Sequence, residues 1–187
     1  MLRSLTRVVC CMLLGACASS QTAGPVSVTP VSGHIETSTG AGVVNLARSV
    51  ETVGVSDRII APPDSVFQAL LAVYHDLNIP ASRTDQGGRV VANDLFKARR
   101  KLGGAPMQGY VDCGGSAGQP NAETFDMELG IVSTVTAAPN GGALVTSTLT
   151  ASGHDPMFGR DRQMRCVSTG EFERRIAAMV RTKLGLK

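Results

Sequence analysis

Tryptophan is absent from this chain, and aromatic residues make up only 4% of it. A core made from such material rests on Val, Leu, Ile, Met and Ala, for which an apolar share of 43% is sufficient. Acid is missing from the whole first stretch, since the first acidic residue is Glu36. No apolar run approaches the ~20 residues a membrane-spanning helix needs; the run near the start, Val8 to Leu14, is far shorter. There is no Cys-x-x-Cys, and no histidine lies within a few residues of Cys113 or Cys166, so zinc-ligand spacing is lacking. These absences argue against a helical membrane span and a cysteine-based metal site, and no metal or cofactor is expected.

The N-terminus carries Arg3 and Arg7, then the apolar stretch, then the small residues Gly15 and Ala16. A basic start, a short apolar run and a small-residue exit mark residues 1–16 as an export leader. Leu14-Gly15-Ala16-Cys17 resembles the lipobox of bacterial lipoproteins. The resemblance implies cleavage before Cys17, diacylation of its thiol and attachment to a membrane through that lipid. Each buried CH₂ contributes about 0.8 kcal/mol, and two chains anchor stably. Ala18, where inner-membrane lipoproteins of Gram-negative bacteria tend to carry Asp, implies the outer membrane, facing the periplasm. Loss of Arg3 and Arg7 with the leader brings the formal charge from +3 to +1. A near-neutral domain has no broad field for nucleic acid.

Residues 17–48 comprise the lipidated Cys17 and a Ser, Thr, Gly, Ala, Val and Pro-rich segment with one acid, Glu36. Such a stretch buries too little apolar surface to offset the entropy of ordering, and is expected to be a flexible tether. His34 within it is expected to be solvated.

Residues 49–187 read as one α+β domain. Val50 to Ile60 favour an extended strand. Pro62-Pro63-Asp64 opens a helix whose apolar face is Val66, Phe67, Leu70, Leu71, Tyr74 and Leu77, ended by Asn78 and Pro80. Strands are expected at Arg89–Phe96 and Gln108–Cys113. The strongest pattern alternates Phe125, Met127, Leu129, Ile131 and Val135 with polar residues, then resumes at Val145 and Leu149 after Pro139-Asn140-Gly141-Gly142. Asn140-Gly141 between alternating runs predicts an antiparallel hairpin, because both residues tolerate positive φ. Ser168 and Glu171 fit a capping box that opens a last helix, with Phe172, Ile176, Met179, Val180 and Leu184 inward and Arg174, Arg175, Arg181 and Lys183 in water. A one-sided sheet and two amphipathic helices satisfy each other's burial, which predicts a two-layer sandwich with both helices on one face. This order, with the anchor, resembles helix-grip domains and the small domains of the C-component lipoprotein of the outer-membrane barrel-assembly machinery.

Cys113 and Cys166 remain once the leader is gone and Cys17 is acylated. Two thiols in an oxidising compartment are expected to pair, buried free thiols being the alternative. Gly114-Gly115-Ser116-Ala117-Gly118 matches the spacing of a hydrolase nucleophile turn, but Gln119-Pro120-Asn121 is turn chemistry rather than the required helix start. Asp126 and Glu128 share a polar strand face. His154-Asp155 are sequence neighbours, which rarely face each other. His75 near the end of the first helix is explained by the helix dipole. Lys97, Arg99, Arg100 and Lys101 form the densest charge, a solvated edge or a contact for an acidic partner. The expected function is a non-catalytic, membrane-anchored binding or scaffolding module with an envelope protein partner. A small-ligand carrier with a cavity between sheet and last helix, and a small hydrolase, are the alternatives.

Overall fold

The computed structural model describes residues 28–30, 37–39, 42–44, 51–116, 118–157 and 163–187. The leader, Cys17 and His34 lie outside them. Strand β1 is Glu51–Ile59. Helix α1, Pro63–Asp76, follows with a proline in its first turn and Asp64 beside it, where a missing N–H and a negative charge are both favoured. Val66, Phe67, Leu70, Val73 and Tyr74 form its buried face, and Asn78 at φ 55° ends it. Next come β2 (Arg83–Asp85), β3 (Val90–Ala98) and the two-residue β4 (Val111–Asp112). A one-turn helix α2 (Asn121–Thr124) leads into the long hairpin of β5 (Asp126–Ala137) and β6 (Ala143–His154). Strand β7 (Gln163–Ser168) and helix α3 (Glu171–Lys183) complete the domain.

The sheet is antiparallel, in the order β1, β6, β5, β3, β2, with β7 paired to β6 and β4 paired to β7. Within the segment expected to be a tether, Val28–Pro30 pairs with Glu51–Val53, and Thr37–Thr39 pairs with Gly42–Val44. Odd residues of the hairpin turn inward: Met127, Leu129, Ile131, Val135, Val145 and Leu149 are each at most 1% exposed. Helix α1 packs against β3, β5 and β6, and α3 against β1, β6 and α1. The fold is therefore α+β. On the buried face Ser133 and Ser147 share a hydrogen bond of 2.7 Å, and the Tyr74 hydroxyl reaches Ser133 Oγ at 3.0 Å and the Val91 carbonyl at 3.2 Å. Burial pushes the Tyr74 phenol up to about 12.

Two strands share one edge of β6. Strand β1 pairs with Ala143–Thr148 and β7 with Ala151–His154, which leaves Leu149 and Thr150 without a strand neighbour on that side. A buried N–H must find an acceptor, and Glu173 supplies it: Oε1 accepts from the Leu149 N–H at 3.0 Å and from Ser168 Oγ at 2.8 Å. Glu173 is 1% exposed, and its Oε2 has no hydrogen-bond partner among the described residues. Desolvation raises its carboxyl above the ordinary value, and the Ser168 hydroxyl opposes that rise.

Several local expectations are corrected. Ser168 meets Glu173 rather than Glu171, and Gly170 in the left-handed region is the N-cap of α3; the Glu171 N–H is taken by Thr169 Oγ1. Glu171 instead pairs with Arg174 at 2.7 Å. Positive φ in the hairpin turn falls on Gly141 and Gly142, not on Asn140, and a Cβ at Gly142 would stand 2.5 Å from the Ile59 carbonyl oxygen. Arg181 is not simply in water: it grips the Asp57 carboxylate and the Arg58 carbonyl of β1. The stretch expected as a strand from Gln108 is a 3₁₀ turn, Met107–Gly109, before β4.

Cys113 and Cys166 are joined in a disulfide, Cα to Cα 4.4 Å, tying the end of β4 to β7. Both cysteines are buried. Replacing both with alanine is expected to cost about 2–5 kcal/mol in chemical denaturation, and unchanged stability would contradict a structural role for the bridge. Glu173→Gln tests the strand gap. A raised carboxyl favours folding most below its ordinary value, and this contribution is lost as pH rises through the folded value. Thermal melts between about pH 4 and pH 8 should therefore show the variant gaining on the parent as pH rises. Parallel melting profiles would refute the assignment.

Candidate functional site

The pairing of β3 with β5 is interrupted once. Leu129 faces Phe96 and Ile131 faces Asn93, so Asp94 and Leu95 together stand opposite Gly130. This is a β-bulge, which reverses which residues point to each face. Before it Val91 lies on the buried face; after it Phe96 and Ala98 do. Leu95 and Lys97 are thereby turned to the exposed face of the sheet. Asn93 holds the bulge from inside. It is 4% exposed, its Nδ2 donates to the Pro80 carbonyl at 2.6 Å, and its Oδ1 accepts from the Leu95 N–H at 3.2 Å. Gly130 is required opposite: a Cβ there would stand 2.8 Å from the Asp94 carbonyl oxygen and 2.6 Å from Thr150 Oγ1.

Past the bulge, polar side chains of three strands come side by side. Lys97 Nζ lies 4.0 Å from Glu128 on β5, and Arg99 Nε lies 3.4 Å from Asp126. His154 on β6 places Nε2 3.3 Å from the other oxygen of Glu128. The side chains of Lys97 and Arg99 are more than half exposed, so each pair contributes little to stability. Around them an open recess of roughly 500 Å³ is lined by Lys97, Ala98, Arg99, Asp126, Met127, Glu128, His154, Asp155 and Pro156. A second, of about 470 Å³, runs over Leu95, Gly130, Thr150, Ser152 and Arg165 towards the gap at Leu149 and Ser168. Glu128 lines both recesses, which together are termed the trough.

Of the four basic residues singled out in the sequence, Lys97 and Arg99 enter these pairs. Arg100, at φ 62°, turns the chain away, and Lys101 begins a two-residue ladder, Lys101–Leu102 with Ala105–Pro106. Among the described residues neither Arg100 nor Lys101 makes an ion pair. Asp126 and Glu128 share a face as expected, but they serve as partners for cations. Asp155 does not orient His154; its carboxylate accepts the Met157 N–H at 2.8 Å. Ser116 is exposed in a hairpin, Gly115–Ser116 paired with Gln119–Pro120, and α2 does start at Asn121, one turn long and displaced from Ser116 by that hairpin. His75 is exposed beside Asp76, whose carboxyl is held below its ordinary value, chiefly by the hydrogen bond from Lys183. No group of three or more His, Cys, Asp or Glu among the described residues is arranged to hold a metal ion.

The pairing of His154 with Glu128 was not anticipated from the sequence. Hairpin arithmetic carries it: register runs unbroken from Ala137↔Ala143 to Asp126↔His154, which puts His154 diagonal to Glu128. No family model, no curated protein and no solved structure matches this chain.

Asn93→Ala removes both bonds that hold the bulge. The expected loss is about 1–3 kcal/mol in urea denaturation, the cost of unsatisfied buried polar groups. A neutral result would show that the bulge is held by other contacts.

Proposed function

We propose that this chain is a lipid-anchored envelope protein, held by Cys17, whose two-layer α+β sandwich is a non-catalytic module that offers the helix-free face of its sheet to an envelope partner. The observation that carries this reading is the trough: a bulge, a side-chain-free floor at Gly130, and Lys97 and Arg99 standing across from Glu128 and Asp126. Polar contacts held in register favour selectivity over raw affinity. The disulfide supports an oxidising compartment, in keeping with the export leader and the lipobox resemblance.

A small-ligand carrier is less well supported. Val145, Leu149, Phe172, Ile176 and Val180 fill the space between sheet and α3, each 1% exposed or less. Nor does Ser116 favour the hydrolase: it is exposed in a two-residue hairpin, and the one-turn helix that follows starts only at Asn121.

Cys17→Ser is expected to abolish palmitate labelling and to move the protein from the membrane to the soluble fraction. Unchanged labelling and fractionation would refute the anchor. The contact face is tested separately, with a photoreactive residue placed at Thr150 or at Lys183 in intact cells. Thr150 should yield a discrete crosslinked band that Lys183 does not, and equal crosslinking from both would refute the trough as the contact face.

A further inference from the structure

The dipeptide Asn-Gly occurs once in the chain, at Asn140-Gly141 in the turn between β5 and β6. Its own atoms can react with each other, and glycine has no Cβ to shield the nitrogen that attacks. The Gly141 nitrogen loses its proton and attacks Cγ of the Asn140 side chain. An N–C bond forms, the Cγ–Nδ2 bond breaks, and the amide nitrogen leaves as ammonia with that proton. Water then opens the cyclic imide at either carbonyl, leaving aspartate or isoaspartate. Asn140 is exposed, so water and base reach it.

The turn opposes ring closure. The Gly141 N–H donates to the Ala138 carbonyl at 3.1 Å, with Pro139 and Asn140 between them. Asn140 is not among the described residues of positive φ. A hydrogen-bonded turn with proline at its second position and negative φ at its third is type I, which sets ψ of the third residue at about 0°. At that angle the Gly141 nitrogen eclipses the nitrogen of Asn140 and stands away from Cβ. Ring closure needs it on the Cβ side, so the peptide plane must swing by about a third of a turn from its type I position. Arg58 of β1 holds the plane: its Nη2 donates to the Asn140 carbonyl at 2.6 Å and to the Gly141 carbonyl at 2.9 Å. Bonds from a charged donor are among the stronger ones. The swing would break the bond to the Asn140 carbonyl and the bond to Ala138. It would also drag Gly142, whose carbonyl accepts the Ala138 N–H at 3.1 Å. We infer that Asn140 is a latent deamidation site that Arg58 holds closed. The site opens when the turn comes off β1, so the product marks molecules that have opened there. Isoaspartate would add a backbone carbon close to Ala137↔Ala143, the first pair of the hairpin register.

Peptide mass spectrometry follows the conversion of amide to carboxylate at Asn140 in the full chain, incubated in mildly alkaline buffer. A synthetic peptide spanning Ala138 to Ala143 supplies the rate without the turn. The parent protein should react many-fold more slowly than the peptide. Arg58→Ala and Arg58→Gln should each react several-fold faster than the parent, with melting temperatures confirming that each is folded. The glutamine variant keeps much of the side-chain stem, so the comparison survives a fold lost in the alanine variant. A parent as fast as the peptide would overturn the assignment, as would folded variants no faster than the parent. Variants slower than the parent would show that the guanidinium instead draws electrons from the Asn140 carbonyl and eases loss of the Gly141 proton, which also overturns it.

Discussion

Twelve consecutive residue pairs between β5 and β6 set everything else in place. Their register decides which residues are buried and which face away from the core. It puts Ser133 beside Ser147 under Tyr74, and it puts Glu128 within reach of His154. A slip of one residue would send Met127, Leu129 and Ile131 outward and turn the charged ladder into the core, a change no packed domain tolerates. The hydrophobic pattern thus fixes the polar face as firmly as the apolar one.

The other side of the same constraint is an edge that no single strand covers. Strand β6 is longer than either neighbour on its β1 side, so two strands divide that edge and leave a space between them. Glu173 fills it with a carboxylate oxygen, an acceptor that a strand would otherwise have supplied as a carbonyl. The arrangement couples the first turn of α3 to the middle of the sheet. It also explains why an acidic residue sits among apolar ones on the inner face of an otherwise ordinary amphipathic helix.

Much of this was legible in the sequence, and the parts that were not share a physical cause. Period-two alternation over residues 125–137 and 145–151 identified the hairpin, because a half-buried antiparallel strand leaves that mark directly. The spacing of Val66, Phe67, Leu70 and Tyr74 identified α1 for the same reason. The pairing of Cys113 with Cys166 followed from their number and the expected compartment. What failed depended on contacts between distant residues. The bulge at Asp94–Leu95 breaks the alternation of β3, so the residue pattern does not reveal that Asn93 holds the strand's shape from inside. Glu171 was matched to Ser168 by spacing, whereas the strand gap selects Glu173, which lies two residues further on. Lys97 and Arg99 are solvent-exposed, in keeping with a solvated edge, but nothing local in the sequence places Glu128 and Asp126 across from them.

The covalent bridge encloses a large part of the domain. Between Cys113 and Cys166 run α2, the whole β5–β6 hairpin and the first half of β7, while α3 lies beyond the second cysteine. A polypeptide cut once anywhere in that interval stays a single molecule, its two fragments linked through sulfur and through the ladders of the sheet. The connection after His154 can thus be broken without releasing the last helix, and the break becomes visible only under reducing conditions.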